Sequence, residues 1–507
     1  MILVFDFGSQ YTQLIARKIR QLCVKSEIVP YNHPIGQVRK AQPEGIILSG
    51  GPASSCARGA PRLKPELLEL GVPVLGICYG MQVSCRKLGG RVRPDRVREY
   101  GRAMIRLLRE DPLFDQVDPS TQVWMSHGDR VTELPAEFVQ LACSDDCEFA
   151  AVRHAKRPVW GVQFHPEVHH TPQGEQILAN FVLEICGATA DWKTGRIIEE
   201  TVATLRRQVG DRPVICGVSG GVDSTVLAVL LDQAVGAQAH PVYVDTGLMR
   251  AGESERVVKR FREHLGIHVR HVRAARHFLS KLKGVTHPER KRRIIGKQFV
   301  QVFFREFKHH EMLAQGTLYP DVIESVSTYG PSDKIKTHHN RVHEVQRLID
   351  QGRVVEPLKE LFKDEVREVG RELGIPHDML WRHPFPGPGL AVRILGEVSP
   401  RRLALLRAAD RIFIEELRAA GLYDRIWQAF GVLLPVKSVG VMGDERTYDN
   451  VLALRAVTSV DGMTADWFDL PKPVLGRISN RIINEIKGIN RVVYDVSSKP
   501  PATIEWE

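Results

Sequence analysis

The run Ser219-Gly220-Gly221-Val222-Asp223-Ser224 joins the apolar stretch Val214-Ile215-Cys216-Gly217-Val218 to a second one, Thr225-Val226-Leu227-Ala228-Val229-Leu230-Leu231. The order is strand, glycine loop, helix. Glycines at such a junction let backbone N–H groups approach an anion, and the helix start behind them adds unsatisfied donors and a partial positive charge. The stretch is a phosphate cradle set in an α/β unit. It lacks the Lys of a Gly-x-x-x-x-Gly-Lys-Ser/Thr loop, so ordinary NTPase phosphate transfer is not its natural reading. Everything else in the chain can be asked as what this cradle serves.

The 507 residues exceed one core, and about 150 residues per domain suggests three domains. No stretch approaches the ~18 uninterrupted apolar residues of a membrane span. Met1 to Gly8 is expected to be a strand running into a turn, without the basic region of a secretion signal, so a cytoplasmic location is expected. The 8 cysteines are too sparse for a disulfide framework. Cys143 and Cys147 are four residues apart with no second pair at zinc-finger distance, so no metal site is expected there. The excess of 70 basic over 60 acidic residues, +10, suits nucleic acid or anionic small substrates.

Residues 1–188 alternate short apolar strands (Ile2 to Phe5, Gly45 to Leu48, Val72 to Ile77) with helical stretches, which predicts a mostly parallel sheet. Cys78 stands where the last of these strands gives way to a helix over Met81 to Leu88, flanked by Gly76 and Gly80. This reads as a nucleophile elbow built with Cys, with the helix start behind it supplying donors toward a developing oxyanion. A thiol nucleophile needs a base and a group to orient that base. His165 and Glu167 supply both if the segment around them is extended, since residues i and i+2 then point to one side.

Four segments, Gly76 to Gln82, Ser49-Gly50-Gly51-Pro52, Ser126-His127-Gly128-Asp129 and Gln163 to Glu167, together resemble the class I glutamine amidotransferases. The resemblance implies that Cys78 attacks the glutamine side-chain amide, His165 shuttles a proton to departing ammonia and Glu167 orients His165. It also implies an oxyanion hole from the backbone N–H groups of Gly51 and Tyr79.

A boundary is expected near Cys186 to Trp192, giving a second α/β domain over 189–386 built around the glycine loop. That loop resembles the one with which ATP pyrophosphatases hold the outer phosphates of ATP while an acceptor oxygen attacks the α-phosphate; Ser219, Gly220, Gly221, Val222, Asp223 and Ser224 are its matched positions. Gly316 to Ser325 reads as a third strand end carrying two carboxylates, so Asp223, Asp321 and Glu324 are the candidates to approach the Mg²⁺ that accompanies ATP. Lys336, His338 and His339 lie in a polar stretch able to close over phosphates as a lid. Pro384 to Leu390 reads as neither helix nor central strand and marks the next boundary. Residues 387–507 then form a smaller α+β module with an amphipathic helix over 401–420. The expected fold is therefore two consecutive parallel-sheet α/β domains followed by a smaller α+β C-terminal domain.

With the tail Lys499 to Glu507 added, the whole chain resembles the glutamine-hydrolysing GMP synthase family. That resemblance implies ATP-dependent amination of xanthosine 5′-phosphate (XMP) through an adenylyl-XMP intermediate, with release of AMP and pyrophosphate. It implies a homodimer made by the C-terminal domain, no nucleic acid or membrane partner, and XMP contacts at Arg491, Lys499, Ile504 and Glu505. After Asn340 the family pattern would continue Gly-Gly-Leu-Pro, whereas this chain reads Arg341-Val342-His343-Glu344, so the lid's hinge departs from the pattern. Three rivals stand beside this reading: another glutamine-dependent synthetase such as one making NAD or asparagine, an RNA-thiolating enzyme relying on Cys216, and a non-catalytic descendant. The intact Cys78, His165 and Glu167 argue against the last.

Overall fold

The computed structural model describes residues 1–507 apart from 308–311, 327–342, 443–444 and 460–463, with the backbone alone described at 95–98, 323–326, 343–344 and 442. The chain divides into two compact units, Met1–Ile197 with Tyr319–Lys336, and Ile198–Leu318 with Thr337–Glu507.

In the first unit, nine strands among the described residues form one sheet: β1 (Ile2–Asp6), β2 (Ser26–Pro30), β3 (Gly45–Leu48), β4 (Val74–Ile77), β5 (Arg91–Leu107), β6 (Ser120–Glu133), β7 (Phe138–Cys143), β8 (Ala151–His154) and β9 (Val159–Val162). Their order is β2-β1-β3-β4-β9-β8-β7-β5-β6. The run from β2 to β9 is parallel. β3, β4 and β9 are buried at every position, as strands covered on both faces must be. From β9 outward every pairing is antiparallel, and β6 alternates buried with partly exposed residues, the mark of a sheet packed on one face. The sheet is thus more mixed than the strand-and-helix rhythm predicts. β1 has a parallel neighbour on each side, β2 and β3, so the chain reverses direction across the sheet there; such a switch opens a crevice at the strand C-terminal ends.

In the second unit, β10 (Val214–Gly217), β11 (Ala239–Asp245), β12 (Arg270–Arg273), β13 (Met312–Ala314) and β14 (Val354–Val355) form an all-parallel sheet in the order β12-β11-β10-β13-β14. β10 again sits at the reversal, with the glycine loop at its C-terminal end. A third sheet pairs β15 (Gln428–Met442) antiparallel with β16 (Glu445–Thr458), and adds β17 (Asp466–Trp467) and a parallel β18 (Ile489–Tyr494). The helix expected over 401–420 is Pro400–Ala419; Ser399 caps it by accepting from the Arg402 N–H, with Pro400 at the first helical position. Its buried Leu403, Leu406, Ile412 and Phe413 share one apolar cluster with Ile215, Val242 and Leu313 of the parallel sheet and Leu452 and Ile489 of the third. Pro384 to Pro388 is irregular as expected, while Gly389–Arg393 makes a short 3₁₀ turn. Among the described residues no helix is long and apolar enough to cross a membrane.

Candidate active site

In the first unit the C-terminal ends of adjacent parallel strands bring the amidotransferase candidates together. Cys78 follows β4 directly, at φ 51° and ψ −104°, and caps the helix Tyr79–Lys87. A non-glycine residue at positive φ costs on the order of 1–3 kcal/mol and persists where the surroundings enforce it. Here they do: the Cys78 N–H donates to the Val162 carbonyl at 2.7 Å and the Gly80 N–H to the Ser49 carbonyl at 3.1 Å. A Cβ on Gly76 would lie 2.5 Å from the Met81 nitrogen, and one on Gly80 would lie 2.3 Å from the Leu48 carbonyl oxygen, so both flanking glycines are required by close backbone approach.

The Cys78 thiol lies 3.6 Å from the Ser126 carbonyl and accepts from Gln163 Nε2 at 3.6 Å. His165 Nδ1 is 2.7 Å from Glu167 Oε1, which leaves Nε2 as the nitrogen for the thiol. Burial disfavours a charge on this imidazole, but the Glu167 carboxylate and its hydrogen bond to Cys78 outweigh that and hold its pKa well above the ordinary histidine value. The 163–167 segment is not extended, as the i, i+2 argument supposed; it is a bend followed by a turn. What fixes the ring is a set of anchors instead. The His165 N–H donates to the Trp124 carbonyl at 3.0 Å, Thr171 Oγ1 donates to the His165 carbonyl at 2.7 Å, and the Tyr11 ring packs edge-on at 5.2 Å. Glu167 is fully buried, and its Oε2 has no hydrogen-bond partner among the described residues.

The Tyr79 N–H belongs to the first helical turn and has no acceptor within the helix. Its hydroxyl donates to the Pro61 carbonyl at 2.6 Å, so the backbone is what this residue offers the elbow. Gly51 approaches so closely that an added Cβ would lie 2.7 Å from the Phe7 carbonyl oxygen. Gln82 was not singled out from sequence, yet it is buried and ties the site together, donating to the Asp129 carbonyl at 2.8 Å and to Gln163 Oε1 at 3.3 Å. Its signal was a polar residue on an otherwise apolar helix start.

In the second unit the loop after β10 closes on itself. Ser224 Oγ accepts from the Ser219 N–H at 3.1 Å, and Ser219 Oγ accepts from the Gly221 N–H at 3.2 Å. Gly220 has φ 73°, and a Cβ there would lie 2.5 Å from Val257 and 2.8 Å from Arg382. Val222, Asp223 and Ser224 form the first turn of the helix Val222–Val235, with its N–H groups toward the loop. Two cations missed by sequence reading support the loop from far along the chain. Arg382 donates to the Gly220 carbonyl at 3.0 Å and ion-pairs with Glu253; burial lowers its guanidinium pKa to about 10. Lys363 Nζ lies 3.7 Å from Asp223 Oδ2.

The strand end expected around Gly316 to Ser325 is not there. β13 ends at Ala314, and Asp321 and Glu324 lie on a helix, Tyr319–Val326, rather than at a strand end. Pro320 in its first turn is a helix-start signal. The Glu324 side chain is outside the described residues. Asp223 stands at the loop, in the first turn of the helix Val222–Val235. Lys336, His338 and His339 lie outside the described residues.

The four XMP candidates lie in the C-terminal part of the second unit. Arg491, on β18, donates to Ser438 Oγ at 2.6 Å. Lys499 pairs through its backbone with Ala465, and the Ile504 carbonyl accepts from Arg455 Nε at 2.8 Å. Glu505 alone lines a cavity of about 560 Å³, with Tyr494, Ser497, Thr503 and Trp506.

Three family models match successive parts of the chain: glutamine amidotransferase class-I over 3–185, NAD synthase over 197–292 and GMP synthase C terminal domain over 415–506. Curated relatives cover it entirely. A glutamine-hydrolyzing GMP synthase from Chlorobium chlorochromatii is 56% identical over 100% of this chain and 99% of its own. Those of Aquifex aeolicus and Zymomonas mobilis are each 55% identical over 100% of this chain, and over 99% and 97% of their own lengths.

Proposed function

The chain belongs to the glutamine-hydrolysing GMP synthases, ligases that aminate XMP to GMP with ATP and glutamine, and from that premise we propose how its residues divide the work. Cys78 is the glutaminase nucleophile: its thiol proton passes to His165, the sulfur adds to the glutamine carboxamide, and the protonated imidazole delivers that proton to departing ammonia. Glu167 holds the imidazole through Nδ1. The Gly51 and Tyr79 N–H groups receive the oxyanion. The observation that carries this reading is the strained elbow at Cys78 beside the 2.7 Å His165–Glu167 pair.

In the synthetase half, residues 219–224 grip the β- and γ-phosphates with loop and helix-start N–H groups while the XMP C2 oxygen attacks the α-phosphate. Pyrophosphate leaves, ammonia adds at C2, and AMP departs with the oxygen. Making C2–O a phosphoester turns a poor leaving group into a good one. Mg²⁺ bound with ATP would be held by Asp223 and the phosphate oxygens, where it neutralises charge. Lys336, His338 and His339 close as a lid, and ATP and XMP binding activates the Cys78 site. Arg491, Lys499, Ile504 and Glu505 contact XMP.

The domains divide at 1–188, 189–386 and 387–507, a reading supported by the three successive family matches. A homodimer forms through the last of these, supported by exposed Val436, Val439, Val441 and Tyr448 on the β15–β16 pair. The enzyme works in the cytoplasm on small molecules, without nucleic acid or membrane partners. The thiolation rival loses ground because Cys216 is buried on a core strand, with its thiol pushed up to about 12 by burial. The NAD and asparagine synthetase rivals give way to the GMP synthase C-terminal match.

The test incubates the protein with ATP, Mg²⁺, XMP and either glutamine or ammonium. Cys78→Ala is expected to lose glutamine-dependent GMP formation and keep the ammonium-dependent reaction. Loss of both would overturn the division into two sites.

A further inference from the structure

Glu99 on β5 and His127 on β6 stand in direct cross-strand register. His127 Nε2 lies 3.1 Å from Glu99 Oε2, and the imidazole side chain is 3% exposed. Yet neither ring nitrogen makes a hydrogen bond among the described residues. A buried imidazole that makes no hydrogen bond, with a carboxylate oxygen beside one nitrogen and no partner for the other among the described residues, calls for an explanation, since an unpaired buried polar group costs about 1–3 kcal/mol.

A third group approaches from outside the hairpin. Cys147, 2% exposed, sits in the turn between β7 and β8. That turn is closed by the Ser144 N–H donating to the Cys147 carbonyl at 2.8 Å and by Ser144 Oγ accepting from the Cys147 N–H at 2.9 Å. Arg130 Nη1 ties it to β6 by donating to the Asp146 carbonyl at 2.8 Å. Ligand atoms of Glu99, His127 and Cys147 all lie within 4.8 Å of one another.

We propose that Glu99, His127 and Cys147 form a binding site for a zinc-class divalent cation. The donor set makes the choice of metal. A sulfur donor disfavours Mg²⁺ and Ca²⁺, which take oxygen, whereas one thiolate, one imidazole and one carboxylate suit Zn²⁺. With Zn–S at about 2.3 Å and Zn–N and Zn–O at about 2.0–2.2 Å, donors around one tetrahedral ion stand roughly 3–4 Å apart, so the observed cluster closes with small side-chain shifts. Binding deprotonates the Cys147 thiol and releases that proton to solvent. Three protein donors leave a fourth position for water.

The place of the cluster gives the ion a consequence. His127 follows Ser126, whose carbonyl is 3.6 Å from the Cys78 sulfur. An ion bridging β5, β6 and the 144–147 turn therefore stiffens the wall against which the Cys78 thiol rests. The spacing of Cys143 and Cys147 does not reveal such a site because its other two donors come from strands 20 to 48 residues earlier.

The test uses the full chain carrying Cys78→Ala, so that the catalytic thiol cannot bind metal, stripped with a chelator and titrated with Co²⁺ alone. One equivalent of Co²⁺ is expected to produce a thiolate-to-cobalt charge-transfer band that Zn²⁺ then displaces. Cys147→Ser should abolish the band, Glu99→Gln should weaken Co²⁺ binding at least tenfold, and Cys143→Ser should leave both unchanged. Zn²⁺ should also raise the melting temperature of the Cys78→Ala protein. If Cys147→Ser does not fold, Glu99→Gln decides. Absence of the band, its survival in Cys147→Ser, or equal affinity in Glu99→Gln would overturn the proposal.

Discussion

Arg393 donates from Nε and Nη2 to the two oxygens of Glu505 at 3.1 and 2.8 Å, and its guanidinium carbon lies 4.1 Å from the Phe430 ring centroid and 5.1 Å from that of Phe385. Gln428 Nε2 adds a third hydrogen bond to Glu505 at 2.9 Å. The carboxylate is thus aimed by a planar fork that itself packs against two aromatic rings. If Glu505 reads XMP, its orientation is set by Arg393, and an ammonium in place of the fork keeps the charge but loses the bidentate, stacked geometry. Arg393→Lys is expected to raise the KM for XMP about tenfold or more, equivalent to about 1.4 kcal/mol, while glutamine hydrolysis measured without XMP stays unchanged. An unaltered KM for XMP would show that the pair is structural only.

Glu167 holds the His165 ring through Nδ1. Replacing it with Gln removes the charge that sustains the imidazolium, so burial then dominates and the His165 pKa falls. Glu167→Gln should lower glutamine-dependent turnover by about 10²–10⁴-fold and move the histidine ionisation, followed by NMR, to lower pH. The ammonium-dependent rate should not change. Equal loss of both rates would place Glu167 outside the glutaminase mechanism.

Arg382 reaches beneath the phosphate loop from 162 residues away to hold the Gly220 carbonyl, while pairing with buried Glu253. Arg382→Ala strands that carboxylate, and removing one partner of a buried pair costs about 3–5 kcal/mol. The loss should appear as lower resistance of the second unit to urea. Adding Glu253→Gln should restore part of it, and the KM for ATP should remain raised in the double variant because the Gly220 anchor is still missing. Strictly additive losses would show that the two side chains do not interact.

The elbow and the phosphate loop were legible because each is local: a few small residues between a strand and a helix state their geometry within one turn of chain. His165 and Glu167 were legible as a pair, although for the wrong local conformation. The supports of these sites were not legible. Gln82, Arg382 and Lys363 act across distances in sequence that only folding closes, and nothing near them announces the partner. The antiparallel half of the first sheet was not legible because β5 carries Pro94 and shifts register between Pro94 and Glu99, which breaks the alternation that marks a long hairpin. Asp321 was misplaced because the Pro320 helix start was read as the end of a strand.

His383 supplies a pH dependence with a definite sign. Its ring stacks on Tyr423 at 3.8 Å, Nδ1 accepts from the Ala429 N–H at 3.2 Å, and Nε2 is left to donate to the Tyr423 carbonyl at 2.9 Å. Both nitrogens are satisfied only in the neutral form. Burial lowers its pKa to about 4; Arg250 and Arg418 push the same way, against the Tyr423 hydrogen bond and Asp424. Unfolding restores an ordinary value near 6.5. Between these values the unfolded chain binds the proton and the folded one does not, so stability is complete above about pH 6.5 and falls as pH drops toward 4, by up to about 3 kcal/mol. Urea unfolding of the second unit, followed from pH 7.5 to 5, should show this loss, and His383→Gln should flatten it by removing the titrating group, whatever its own cost at neutral pH. An unchanged slope in His383→Gln would assign the acid sensitivity to another residue.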